Sequence, residues 1–129
     1  MSLKVRKLSS EPGSEEIEEG YAGVNNVWVV PERADLAGFS SRIFRIAAGG
    51  RTSMHEHERE HVVVVLRGAC RVECGTEAQL VTEGSILSVP SNVTHRFSNP
   101  SRDGLALLIM NLYVDPFKTV KEPEAPSAG

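Results

Sequence analysis

The 129-residue sequence predicts an all-β domain, a sandwich or barrel built from short strands. Three observations carry that expectation. Short apolar runs recur from Val27 onward, each about the length of a single strand. Turn-forming residues separate them, at Gly49-Gly50, Gly68, Gly75, Gly84, Pro90-Ser91-Asn92 and Asp103-Gly104. Helical periodicity never lasts more than a few residues.

Taken in order, residues 1–20 end in the acidic, turn-rich stretch SSEPGSEEIEEG and read as an arm or loosely held strand. Strands are expected at VWVV (27–30), FSSRIFRIA (39–47), SMHEH (53–57) and HVVVVL (61–66). They continue with ACRVEC (69–74), AQLVT (78–82), SILSV (85–89), THRFS (94–98) and LALLIMNLYV (105–114). PERADLAG (31–38) is compatible with one helical turn. The barrel is expected to span 21–115. The tail 116–129, stiffened by Pro116, Pro123 and Pro126, is expected to be extended or disordered.

Composition narrows the function classes. A formal charge of −3 without any basic stripe argues against a nucleic-acid partner. No apolar run reaches membrane-spanning length, and MSLKVRKLSSEPG lacks the apolar centre of a secretory leader. If CRVEC is a strand, Cys70 and Cys74 stand roughly 13 Å apart at Cα, from a rise of about 3.3 Å per residue. A disulfide needs about 7 Å or less, so two free thiols are expected, which suits a reducing cytoplasm.

The run HVVVVL is apolar on both faces: Val62, Val64 and Leu66 on one, Val63 and Val65 on the other. LALLIM repeats the feature. A half-solvated antiparallel strand should alternate, so a second covering layer is required. A domain this small has little chain to spare, and the expectation is a homodimer.

Chemistry concentrates in the histidines. The chain has four, and three fall in HEHEREH. On a strand His55 and His57 share a face about 7 Å apart, close enough for two imidazoles to converge on one ion with bonds of about 2 Å. Glu56 then faces away. A turn near Glu58–Glu60 allows His61 to open the next strand and join them. His95 lies in GSILSVPSNVTHRFSN, where a Gly turn, an apolar strand and a Pro-x-Asn turn lead into another strand.

These two segments resemble the cupins. The first cupin motif, G-x5-H-x-H-x3-4-E-x6-G, is matched by Gly49, His55, His57 and Gly68, with His61 where the glutamate belongs. The second, G-x5-P-x-G-x2-H-x3-N, is matched by Gly84, Pro90, His95 and Asn99, with Asn92 in place of its second glycine. Asn tolerates positive φ better than other non-glycine residues. The resemblance covers residues 39–113. It implies a jelly-roll β-barrel, frequently dimeric, with one divalent transition metal (Mn, Fe, Ni, Cu or Zn) on His55, His57, His61 and His95. Glu60 is the rival fourth ligand, although its use breaks the motif spacing and it faces away from His61's side of the strand.

Replacing a carboxylate by a fourth neutral imidazole leaves the ion's charge uncompensated, which strengthens a Lewis acid and attracts an anionic or chelating small molecule. Arg42, Phe44, Phe97 and Met110 are candidates for lining the substrate cavity, Arg45 competes with Arg42 for the inner face, and Trp28 and Met54 read as core. Oxygenase chemistry is the favoured expectation. Its alternatives are a non-redox isomerase, lyase or hydrolase, with Glu58 or Glu60 the only nearby bases, and a non-catalytic metal- or metabolite-binding module.

Overall fold

The computed structural model describes residues 2–56 and 58–113. Among them a 3₁₀ turn, Leu8–Ser10, is followed by nine strands: β1 Ser14–Glu15, β2 Ala22–Val30, β3 Phe39–Arg51, β4 Glu60–Arg67, β5 Ala69–Cys74, β6 Glu77–Thr82, β7 Ile86–Val89, β8 His95–Ser98 and β9 Leu105–Leu112. They form one antiparallel sheet, in the order β6-β5-β8-β3-β9-β4-β7, with β2 also on β3 and β1 on β2. The sheet curls into a jelly-roll barrel. The expected tail, 116–129, and His57 lie outside the described residues.

The curl depends on β3. It pairs with β9 from Phe39 to Ile46 and with β8 at Arg51. Gly49 and Gly50 were expected between strands but lie within this one, where the chain bends from one half of the barrel to the other. Gly49 has φ +74, and a Cβ on Gly50 would stand 2.7 Å from the Ala22 carbonyl oxygen. The bend therefore selects glycine for both reasons, handedness and close approach.

Along β9, Leu105, Leu107 and Ile109 point inward and meet Phe44 and Ile46 of β3 and Val63 and Val65 of β4. Cys70, Val72 and Phe97 close the core from the other half. Each such aliphatic or aromatic side chain contributes about 1.5–3 kcal/mol when fully buried. Cys70 and Cys74 are free, and burial pushes the Cys70 thiol up to about 12.

Three expectations are corrected. Residues 31–38 make no helical turn: the Leu36 N–H donates to the Arg33 carbonyl at 3.1 Å, closing a β-turn in which the Arg33 guanidinium pairs with Asp35. Residues 53–56 form no strand, because β3 has already bent towards β8 and leaves only an isolated bridge between His55 and His95. β2 starts at Ala22, earlier than VWVV suggests. Of its two asparagines, Asn26 is buried and Asn25 accepts hydrogen bonds from Arg45.

Arg45 also donates to the carbonyls of Leu8 and Glu11, at 3.2 and 2.7 Å, so part of the N-terminal arm is held against β2 and β3. That places Arg45 outside the barrel and leaves Arg42 on the inner side. Asn99, 1% exposed, stitches the β3 bend to the turn before β9. Its Nδ2 donates to the carbonyls of Ile46 and Asp103, and its Oδ1 accepts from the Ser101 N–H and hydroxyl. Asn92 has φ 59, the left-handed conformation its motif position requires.

Candidate metal centre and its entrance

His61 lies on β4 and His95 at the start of β8, both buried. His55 reaches the same place from the chain leaving β3, held by reciprocal backbone hydrogen bonds with His95 at 3.3 and 3.1 Å. The His61 and His95 rings are 4.9 Å apart between centres, and those of His55 and His95 6.1 Å. All three line one small cavity of ≈ 20 Å³. One water-sized species needs about 10–15 Å³.

These spacings suit rings that share an ion. Two imidazoles bonded at about 2 Å to one metal have ring centres roughly 4.5–6.5 Å apart as their angle opens from a right angle to a straight line. Among the described residues, however, no three His, Cys, Asp or Glu side chains stand together in a metal-holding group. The fit is therefore one of cavity size, donor chemistry and pairwise spacing.

The rings are chemically prepared for donation. His95 Nδ1 lies 2.9 Å from the Val93 carbonyl, which can only accept, so this nitrogen carries the proton and Nε2 is the donor nitrogen of the neutral ring. His55 Nδ1 is hydrogen-bonded to the Ser53 hydroxyl. Burial lowers the His61 pKa to about 4, and the charges of His95 and Arg59 act in the same direction, while the Asn111 amide opposes them. Burial also lowers the His95 pKa, against the pull of the Val93 carbonyl. Both rings are neutral at neutral pH, the form that binds metals.

Arg42, Phe44 and Phe97 line the same cavity. Met110 does not. Strand alternation turns Ile109 and Asn111 inward and puts Met110 on the opposite face, beside Val62. Glu60 precedes His61 on β4, so its side chain leaves from the other side of the strand.

In front of the histidines lies a recess of ≈ 190 Å³, sharing Tyr21, Arg42 and His55 with the inner cavity. The Arg42 guanidinium carbon stands 4.4 Å from the centre of the Phe44 ring and 5.2 Å from that of Trp28, within cation–π range. Its Nη1 is 3.5 Å from Glu16. Trp28 and Met54 are exposed where a core position was expected, and Trp28 forms part of the recess wall. Tyr21, Arg59 and Asn111 also line it, and none was singled out from the sequence. Asn111 had a legible signal, as the one polar residue at an inward position of LALLIMNL.

Comparisons with known proteins agree with this architecture. Alginate biosynthesis protein AlgA of Pseudomonas aeruginosa is 29% identical over 107 residues, 81% of this chain but 22% of that protein. The 1-methylthio-D-xylulose 5-phosphate methylsulfurylase of Rhodospirillum rubrum is 26% identical over 69 residues, 54% of this chain and 44% of the enzyme. The chain thus spans less than half the length of either. The polyketide cyclase RemF of Streptomyces resistomycificus superimposes with a TM-score of 0.74 at 19% identity, covering 95% of this chain and 89% of the cyclase. A cupin-like protein of Thermotoga maritima gives 0.73 at 21% identity, covering 81% and 80%. The cupin domain family matches residues 42–111, more than half of the chain. With both histidine segments inside that match and the barrel around them, the chain belongs to the cupin family.

Proposed function

We propose that this chain is a small metal-dependent enzyme whose His55, His57, His61 and His95 hold one divalent transition metal, and whose substrate enters through the recess lined by Arg42 and Trp28. The observation that supports it is the meeting of His55, His61 and His95 around one cavity of atomic size. When bound, the ion supplies Lewis acidity and, if redox-active, a means of engaging dioxygen. The chain's own side chains orient and exclude. The Val93 carbonyl fixes the tautomer of His95, while Phe44, Phe97 and Ile109 keep bulk water from the histidines. Oxygenase chemistry on a small chelating substrate is the first reading, supported by a donor set made only of neutral nitrogens. Oxygen uptake with catechol-like, diketone and flavonol-type substrates tests it, and no uptake with iron, copper or manganese loaded would overturn it.

A second reading, non-redox Lewis-acid catalysis, draws support from the proteins this chain resembles, since their names describe a cyclase and a methylsulfurylase. Turnover sustained by zinc under anaerobic conditions would select it. A module that binds without turnover would show stoichiometric metal and no reaction in either assay.

We also propose a homodimer. Val62, Val64, Leu108 and Met110 project from the outer face of β4 and β9 as register neighbours, with Ile43 and the exposed Ile86 beside them. No charge interrupts these six residues, and a second copy would cover them. No helix among the described residues is long and apolar enough to cross a membrane.

A further inference from the structure

We infer that the recess binds small monocarboxylates, gripped between Arg42 and Arg59. The inference takes from the proposed function only that the recess is the substrate's entrance. Both arginines line it. The Nε of each is buried and has no hydrogen-bond acceptor. A buried N–H without an acceptor is costly, and costlier when it belongs to a charged group.

One outer nitrogen of each side chain is already engaged. Arg42 Nη1 faces Glu16 at 3.5 Å, and Arg59 Nη1 donates to the Tyr113 hydroxyl at 3.3 Å. Stacking on Phe44 and Trp28 fixes the plane of the Arg42 guanidinium in advance. The buried Nε–H groups are thus oriented donors on two like charges, and the charge of Arg59 works against that of Arg42. A carboxylate supplies two acceptor oxygens in one plane, the natural complement of guanidinium edges, and relieves the repulsion between them.

The charge of the wall selects a carboxylate over a phosphate. Glu16, Glu18 and Glu32 share the recess with the two arginines. Glu16 partly compensates Arg42, and Glu32 accepts from the Tyr113 hydroxyl at 2.7 Å. A single negative charge meets less repulsion from them than a double one.

Trp28, the only tryptophan, lies beside Arg42 and reports on the recess by its fluorescence. The full chain, its metal content measured in parallel, is titrated with propionate, 1-propanol and inorganic phosphate. Propionate is expected to change the emission saturably at millimolar concentration, and 1-propanol to leave it unchanged. Arg42→Met and Arg59→Met should each weaken propionate by about tenfold or more. Thermal unfolding checks that both variants fold, and either one alone suffices. Phosphate binding as tightly as propionate would overturn the inference, as would propionate affinity undiminished in the folded variants or no saturable response at all. An arginine-dependent propionate response in protein that neither carries nor takes up a transition metal sustains this inference while refuting the metal centre. Stoichiometric metal without a propionate response does the reverse.

Discussion

The imidazoles of His61 and His95 meet edge to face, 4.9 Å between centres, although β4 and β8 are not neighbours in the sheet. The curl of the sheet brings them together. With β3 bent at Gly49-Gly50, β8 folds over the inward face of β4, and positions 34 residues apart in the chain share one cavity.

That burial makes the metal-free protein sensitive to acid. The folded-state pKa of His61 is lowered to about 4 from 6.5, so between those values the unfolded chain takes a proton that the folded one refuses. Stability is therefore full above about pH 6.5 and is lost as the pH falls towards 4, by about 3 kcal/mol from this residue. His95 acts in the same direction. Urea denaturation of chelator-treated protein across this range checks the slope. His61→Gln should flatten it, and an unchanged slope would remove His61 as its source.

His61→Ala should weaken metal binding by about a hundredfold or more, because it removes a neutral donor from the cavity. His61→Glu, which restores the residue type of the cupin motif, should recover most of that loss. Competition with a chromogenic chelator measures both. Equal affinity for wild type and His61→Ala would exclude this residue as a ligand.

Asn99→Ala should destabilise the fold by about 1–3 kcal/mol, since the buried Ile46 carbonyl loses this donor, while the carbonyl of exposed Asp103 keeps that of the Ser101 hydroxyl. Its effect on metal affinity should follow only from unfolding. Chemical denaturation gives the magnitude, and a loss below about 0.5 kcal/mol would mean that solvent satisfies the Ile46 carbonyl.

Val64→Glu, on the outer face of β4, should yield a monomer in analytical ultracentrifugation, where the wild-type chain is expected to sediment as a dimer. A monomeric wild type would leave that face without the proposed partner.

Much of the site could be read from sequence because its spacing is local. Asn92 adopts the φ its motif demands, and Cys70 and Cys74 are free, as strand geometry required. What escaped depends on tertiary context. Gly49-Gly50 looks like a turn but bends a continuous strand, because β3 leaves its ladder with β9 at Ile46 and pairs again at Arg51 with β8 and β2. The start of β2 at Ala22 was not legible, because the arginine and the arm that engage Asn25 are remote in sequence. Met110 was assigned to the cavity without its register, and the pairing of Val62 with Met110 puts it outside. Arg59 carries no signal in the sequence, since only the folded chain puts it in the recess with Arg42.

The most direct test of the metal centre is elemental analysis of protein purified without chelators or nickel resin. About one equivalent of a single transition metal per chain is expected, lost in His61→Ala and His95→Ala variants that remain folded. Metal-free wild-type protein that also fails to take up Mn, Fe, Ni, Cu or Zn, or metal content unaffected by both substitutions, would contradict it.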